Sequence, residues 1–274
     1  MTTLNELMLL LQAGFVQRAF IIGLIVAVLS SILSVFIVLK RVSLIGDGLS
    51  HTAFGGLALG YYLDIVPLWV AAVVVVLGSL GITRAIRSTR ISSDAAVAVF
   101  LQLGLSSGIV LISLARGFGI SIESLLFGSI LLVNLDQIII ASVILVGVLG
   151  VIFLFYKELV YTTFSETQAR ASGVQTWFFD YLVAILAGVV VIAAIPIVGV
   201  LLISALLVLP ALTSIQIGKS FKQTIIMSPI FGIASAFLGL FVSLIFDIAS
   251  GATIVLMAMA IFVAVLGAKR VSAR

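Results

Sequence analysis

Long apolar runs separated by short polar breaks fill almost the whole chain. About 20 apolar residues are needed to cross about 30 Å of hydrocarbon as a helix. Nine runs approach that length, near residues 15–39, 44–63, 65–82, 94–115, 137–156, 177–195, 197–215, 224–246 and 251–268. The runs lack the alternation of barrel strands. The pattern therefore predicts an all-α fold, a polytopic membrane helix bundle of about eight to nine transmembrane helices, with residues 1–274 forming a single domain.

Two further segments are too short or too polar to be counted as crossings. The apolar run over residues 122–133 suits a re-entrant or tilted segment. Residues 1–14 contain Glu6 but no Lys or Arg, so they lack the positive region of a secretory signal peptide. We expect them to form an amphipathic helix on the membrane surface.

Composition and charge placement agree with an integral membrane protein. The chain is 63% hydrophobic and 9% charged, which excludes an ordinary soluble domain. All but Arg18 and Arg116 of the 14 Lys and Arg residues fall on one side of the predicted spans. Short basic loops stay in the cytoplasm, so we expect a multi-pass protein of the plasma (inner) membrane with its N-terminus outside and its C-terminus inside.

The net charge and the absence of cysteine exclude several other functions. The formal charge of +4 is spread thinly over several loops and indicates topology rather than nucleic-acid binding. Without cysteine the chain cannot form disulfides or thiolate metal sites. The "GKS" at Gly218–Ser220 lacks the earlier glycine of a phosphate-binding loop, because Thr213 stands there.

Asp47 and His51, the only histidine, lie one helical turn apart inside the predicted span 44–63. An ionised Asp near the middle of a membrane costs about 2.5–3.5 kcal/mol on insertion scales, so something must offset it. Side chains at i and i+4 share a helix face and could hold one divalent cation between them. The alternative is that the pair forms packing hydrogen bonds. Ser50 beside them has a hydroxyl that in membrane helices usually bonds to its own backbone.

Glycines surround this pair and leave two interpretations open. They are Gly46, Gly48, Gly55, Gly56 and Gly60, and the last two have the spacing of close helix packing. Such a helix could lie tightly against a partner helix. The same glycines weaken a helix and could let it unwind or pivot. Packing is the favoured interpretation.

The segment 196–214 combines Ser204 with Pro210 in an apolar span. Proline has no N–H, so the carbonyl near Leu206 loses its partner and a kink is expected. A kink beside a serine could line a pathway. A bent packing helix is the equally weighted alternative.

The longest polar interval, residues 157–176, is cytoplasmic on the predicted topology. Within it Phe164–Ala171 is predicted to form a short surface helix, starting at Ser165 and stopped by Gly173. A helix lying across the cytoplasmic mouth could be gripped by a soluble motor protein. The alternative is a solvated loop.

Four blocks in order carry a resemblance to a known family: "LKRVSLIGDGLSHTAFGGLALGYYL", "ESLLFGSIL", "FSETQARASGV" and "VGVLLISALLVLPALTS". Together they resemble the permease subunits of ABC importers for zinc and manganese. The resemblance implies a homodimer in the lipid bilayer, a separate cytoplasmic ATP-binding subunit, and an extracellular metal-binding protein that delivers the ion. The permease itself would then not be an enzyme and would hold no cofactor beyond the transported Zn²⁺ or Mn²⁺.

The resemblance also assigns roles to individual residues. Asp47 and His51 correspond to the metal-binding residues of the translocation path, to which Ser50 and Ser204 are expected to contribute. The coupling helix would contain Phe164, Glu166, Ala169 and Gly173. The chain departs from the family pattern at Ser165, often acidic, and at Gly55, often proline. Its "AFGG" block is more similar to zinc-type members, so Zn²⁺ is favoured and Mn²⁺ is next.

Two other function classes remain as alternatives. A secondary transporter driven by protons or sodium would use Asp47 as a proton carrier and would need no ATPase partner. A membrane scaffold without transport would tolerate replacement of His51 with no change in metal uptake.

Overall fold

The structure is a computed structural model that describes residues 12–88, 91–114, 134–200, 203–246 and 248–272. Within these residues it is all-helical. The helices are α1 Gly14–Leu39, α2 Ile45–Tyr62, α3 Pro67–Ser88, α4 Ser93–Leu114, α5 Leu135–Leu154, α6 Tyr156–Phe164, α7 Glu166–Ala171, α8 Thr176–Val198, α9 Ile203–Leu206, α10 Leu209–Ile217, α11 Phe221–Phe246 and α12 Ser250–Ser272. The predicted surface helix over residues 1–14 lies almost wholly outside the described residues. The run 122–133 lies wholly outside them.

Seven of the described helices are long and apolar enough to cross a membrane, namely α1, α3, α4, α5, α8, α11 and α12. Helix α2 has the length of a span but is too polar to be counted with them. Helices α9 and α10 form an interrupted apolar segment over Ile203–Ile217. The all-helical structure with seven candidate spans confirms the predicted membrane helix bundle, and its helix count is roughly consistent with the prediction of about eight to nine.

The predicted span 197–215 differs from the structure in one respect. Instead of a single kinked helix, the chain forms α9 and α10 with a break at Leu207 and Val208. Pro210 occupies the first turn of α10. A proline at that position costs no intrahelical hydrogen bond, because the first N–H groups of a helix are unpaired in any case. The chain therefore starts a new helix at the proline rather than bending through it.

Helix α2 lies between α3 and α4 at very short range, and glycine makes this possible. A Cβ added at Gly56 would be 2.7 Å from the Cα of Ala71 in α3. A Cβ added at Gly104 of α4 would be 2.6 Å from the carbonyl carbon of His51. No real side chain fits at such distances. This geometry supports the interpretation that the α2 glycines allow close helix packing, rather than the alternative that they let the helix unwind.

The polar interval 157–176 is more helical than its composition suggests. Helix α6 carries the chain to Phe164, and α7 follows after the single residue Ser165. The sequence predicted that the surface helix includes Phe164. In the structure Phe164 instead ends the preceding helix α6. The N–H of Ser165 bonds to the carbonyl of Tyr161, which completes α6 before the chain turns.

Candidate functional site

The pair Asp47 and His51 lies near the start of α2, one helical turn apart, and both residues are half-buried. The Asp47 carboxylate is close enough for its charge to act on the imidazole. The Nδ1 atom of His51 is buried and has no hydrogen-bond partner among the described residues. Buried polar atoms are nearly always paired, so an unpaired imidazole nitrogen marks a place where a further ligand or partner would be stabilised.

Three sets of contacts show which face of α2 carries the pair. Gly46 packs on the backbone of Ser204 in α9, where an added Cβ would be 3.3 Å from the Ser204 Cα. Gly55 packs on Gly104 of α4, and Gly56 faces α3. At 100° per residue these contacts leave the pair on the stripe between α9 and α4, on the side away from α3. The side chains of the pair therefore lie on the face of α2 opposite α3, between its contacts with α9 and α4.

The described residues of one chain bring only two candidate metal ligands together here. Within the described residues no three His, Asp or Glu side chains come together as a metal-binding group. Two donors, one carboxylate and one imidazole, hold a divalent cation less completely than the four ligands of a structural zinc site. No third donor of this kind lies beside the pair among the described residues.

Ser50 and Ser204 occupy different environments. Ser50 is 1% exposed, and its hydroxyl donates to the carbonyls of Gly46 and Asp47 at 2.7 and 3.1 Å. This is the back-bonded geometry of a packing serine, so its role in a translocation path stays a prediction without support from its contacts. Ser204 is half-buried and adjoins the start of α2, which leaves its predicted role open.

The short helix α7 has the caps that the sequence predicted. The N–H of Gln168 donates to the Ser165 hydroxyl at 3.3 Å. At the other end Gly173 adopts a φ of +82°, its N–H bonds to the Arg170 carbonyl and the Val174 N–H bonds to the Ala169 carbonyl. These two bonds define a Schellman motif, which requires the left-handed backbone that glycine adopts most readily.

The side chains of α7 divide into an outer and an inner set. Phe164, just before the helix, is 63% exposed, and Glu166 is also exposed. Ala169 is 0% exposed and faces the interior of its own chain. Ala169 lies in the predicted short helix, and its small side chain packs against the protein itself, so its role in coupling stays a prediction.

A chain of ion pairs connects α7 to three other helices at this end of the bundle. We call it the Asp180 network, formed by Lys40, Arg87, Glu166, Arg170 and Asp180. Asp180 of α8 accepts from Lys40 at 2.7 Å and forms a very short contact with Arg87 of α3. Arg87 also reaches Glu166 at 3.5 Å, and Arg170 bonds to Glu166 at 2.6 Å.

Glu166 is held ionised by this network. Partial burial opposes its ionisation, but hydrogen bonds from Thr176 and Arg170 and the charges of Arg170 and Arg87 outweigh burial and lower its pKa below the ordinary value. The Thr176 hydroxyl donates to Glu166 at 3.1 Å. Glu166 therefore serves as the acceptor that links α7 to the first turn of α8.

Sequence reasoning missed Asp180 and its partners Lys40 and Arg87. A signal was present, because Asp180 is an acidic residue inside the predicted span 177–195, and ionisable residues within spans usually have a partner or a function. Its partners come from positions 140 and 93 residues away. Only the folded chain shows which basic residues they are.

A cavity of about 760 Å³ opens beside the network. Lys40, Arg87, Glu166 and Asp180 contribute to its wall, and it extends to Ile45 at the start of α2. Ile45 is two residues from Asp47. The cavity thus joins the ion-paired end of the bundle to the beginning of the helix that carries the candidate metal pair.

Comparison with known proteins agrees with this architecture. The model of the ABC 3 transport family matches residues 12–269. The chain belongs to the ABC 3 transport family. The expectation of a permease subunit of zinc- or manganese-type ABC importers is thereby confirmed.

Relatives of this permease include two whose names refer to manganese. It is 33% identical over 253 residues to the "Manganese transport system membrane protein MntC" of Listeria innocua, covering 92% of this chain and 90% of that one. It is 36% identical over 248 residues to the "Manganese import system permease protein ScaB" of Streptococcus gordonii, covering 90% and 89%.

Solved structures agree with the helix arrangement of the permease. A chain of "PsaBC from Streptococcus pneumoniae in complex with Fab" superposes with a TM-score of 0.85 at 32% identity, covering 96% of this chain and 95% of that one. A metal-chelate type ABC transporter in an inward-facing conformation gives a TM-score of 0.67 at 17% identity, a likeness of fold alone.

Proposed function

We propose that this permease moves Mn²⁺ into the cytoplasm as part of an ABC importer, with Zn²⁺ as the second candidate cargo. The observation that supports a transport site is the buried Nδ1 of His51, which has no hydrogen-bond partner among the described residues and lies one turn from Asp47 on the face of α2 opposite α3. A passing cation would satisfy the imidazole nitrogen and neutralise the carboxylate together.

The choice of metal rests on the relatives rather than on the ligands. A carboxylate and an imidazole serve both Mn²⁺ and Zn²⁺, and raw affinity would favour zinc. The sequence block "AFGG" favoured zinc, whereas the names of the relatives MntC and ScaB refer to manganese. We therefore place Mn²⁺ first and attribute selectivity to the protein that delivers the ion.

A second copy of the chain would complete the site. Two chains related by a twofold axis beside this face of α2 would bring two carboxylates and two imidazoles to one point. A set of two per chain, without a third residue nearby in the described structure, fits a site that holds its cargo weakly enough to release it. The apolar surroundings would make the ion shed part of its hydration shell there.

We further propose that a separate ATP-binding subunit drives the cycle from the cytoplasmic side. Helix α7 would dock on that subunit through its exposed residues, including Phe164 and Glu166. The end of the bundle with the Asp180 network would then be cytoplasmic, the N-terminus outside and the C-terminus inside. The cavity near Ile45 would serve as the route of release.

The function is tested by transport in vesicles that contain the permease and its ATP-binding subunit, with the metal-binding protein added outside. We expect ATP-dependent uptake of radioactive Mn²⁺, weaker uptake of Zn²⁺, and none with a hydrolysis-deficient ATPase. Uptake that needs a proton or sodium gradient and no ATPase would instead support a secondary transporter. Absence of uptake under every condition would support the scaffold alternative.

A further inference from the structure

The Asp180 network joins four separate parts of the chain at a single carboxylate. Lys40 follows the end of α1, Arg87 lies in the last turn of α3, and Glu166 is the first residue of α7. Asp180 lies one turn into α8 and accepts from both Lys40 and Arg87. If this carboxylate is lost, Arg87 remains in contact with Glu166, but Lys40 loses its only ion pair in the described structure.

The central pairs are shielded more than ordinary surface ion pairs. The side chain of Lys40 is 9% exposed, that of Arg87 24% and that of Asp180 26%. Charge pairs with reduced contact to water interact more strongly and are less screened by salt than exposed pairs. The Arg170–Glu166 pair forms the outer part of the Asp180 network, and its interaction is weaker because both side chains are more than half exposed.

Lys40 is connected to Asp47 by a short and well-bonded corner. After α1 the N–H of Arg41 bonds to the Val38 carbonyl and that of Val42 bonds to the Ile37 carbonyl, with Arg41 at φ 60°. These are the two bonds of a Schellman motif formed without glycine. The Ile45 N–H then bonds to the Val42 carbonyl as α2 begins. A displacement of Lys40 would therefore move the start of α2 as well, because these hydrogen bonds hold the corner rigid.

We propose that Asp180 is a positioning residue that transmits movement of the docking helix α7 to the α1–α2 corner and so to the metal pair. The path runs from Glu166 through Arg87 to Asp180, and from Asp180 through Lys40 to the start of α2. This inference rests on the proposed function, because it assigns a direction to the coupling of ATP hydrolysis and metal release. In this proposal Asp180 acts through Lys40 and Arg87 and is not a ligand of the metal held by Asp47 and His51.

The test compares Asp180→Asn with the unmodified importer, assembled from permease, ATP-binding subunit and metal-binding protein, using Mn²⁺ as the probe. Asparagine keeps the shape of aspartate and removes the charge that Lys40 and Arg87 require. We expect the number of Mn²⁺ ions imported per ATP hydrolysed to fall about 5-fold or more, the lower end of the factors by which two coupled sites change each other's affinity. Co-purification of the ATPase and its hydrolysis rate should persist.

Two variants separate transmission from general damage. Asp94→Asn removes a carboxylate at the start of α4 that makes no ion pair in the described structure, and it should leave the ratio unchanged. Asp180→Glu restores the charge and should recover most of the coupling. A purely structural role would lower the yield of the complex and leave the ratio of ions to ATP intact.

A normal ratio in Asp180→Asn would overturn the inference. If that variant does not assemble, Lys40→Gln decides the matter, because it leaves the Asp180–Arg87 pair in place and breaks only the link to the α1–α2 corner. Full coupling in Lys40→Gln would then contradict the proposal. Failure of the unmodified importer to take up Mn²⁺ with ATP would refute the proposed function itself, a result distinct from both.

Discussion

Replacing Gly104 by alanine tests the close approach of α2 and α4 that places His51. The new Cβ would be 2.6 Å from the carbonyl carbon of His51 and 2.6 Å from the nitrogen of Thr52. The His51 carbonyl oxygen would be closer still, and ordinary Cβ contacts begin near 3.4 Å, so the helices would have to separate by at least about 0.8 Å. The obstacle is backbone, which cannot turn aside as a flexible side chain can.

The energetic cost can be isolated with a matched control. Overpacking a core costs about 1–3 kcal/mol, while glycine to alanine in a helix stabilises by up to about 1 kcal/mol. Gly147→Ala in α5 has open space around its Cβ and carries only the second effect. We therefore expect Gly104→Ala to be less stable than Gly147→Ala by about 1–3 kcal/mol.

Reversible unfolding in mixed detergent micelles measures this difference, and Mn²⁺ uptake measures its effect on the metal pair. Because the displaced backbone includes His51, uptake should fall in Gly104→Ala and stay normal in Gly147→Ala. Equal stability and equal uptake in the two variants would refute the close-packed account of α2 and α4.

Two other predictions concern the docking helix. The pKa of Glu166 is lowered by its partners, so its stabilisation is fully present above the ordinary carboxyl value of 4.5 and is lost as pH falls through the lower value. The free energy of unfolding of Glu166→Gln should thus be lower than that of the unmodified protein by about 0.2–1 kcal/mol at neutral pH, a small difference because the side chain is half exposed. The difference should vanish in acid, and a difference that persists there would contradict the pairing. Ala169→Glu would bury a charge at a 0% exposed site and should sharply reduce the yield of folded protein, while Ala171→Glu at an exposed site of the same helix should not; equal yields would show that Ala169 is not buried.

Helix existence and type could be predicted from the sequence because a membrane span is a local property. Each apolar run has to satisfy its own backbone hydrogen bonds in lipid, so length and hydropathy are sufficient to identify the seven most apolar helices. The caps of α7 were predictable for the same reason, since Ser165 and Gly173 act on neighbouring backbone groups. The break before Pro210 was predicted as a kink, because sequence alone does not show whether a helix bends or restarts.

The candidate site was only partly predictable. Asp47 and His51 are four residues apart, and their shared face follows from helix geometry alone. The Asp180 network depends on residues that the fold brings together from positions 40, 87, 166 and 180, and no local pattern pairs them. Likewise the burial of Ala169 is set by tertiary packing, which the polar composition of residues 157–176 does not reveal.

The most direct test of the central claim is Mn²⁺ uptake by vesicles containing Asp47→Asn or His51→Ala permease, with Thr52→Val as the matched control on the same turn. Both variants should assemble with the ATP-binding subunit yet transport no more Mn²⁺ than vesicles without permease, while Thr52→Val should transport normally because the Thr52 hydroxyl bonds to the Gly48 carbonyl of its own helix. Normal uptake by Asp47→Asn and His51→Ala would contradict the account.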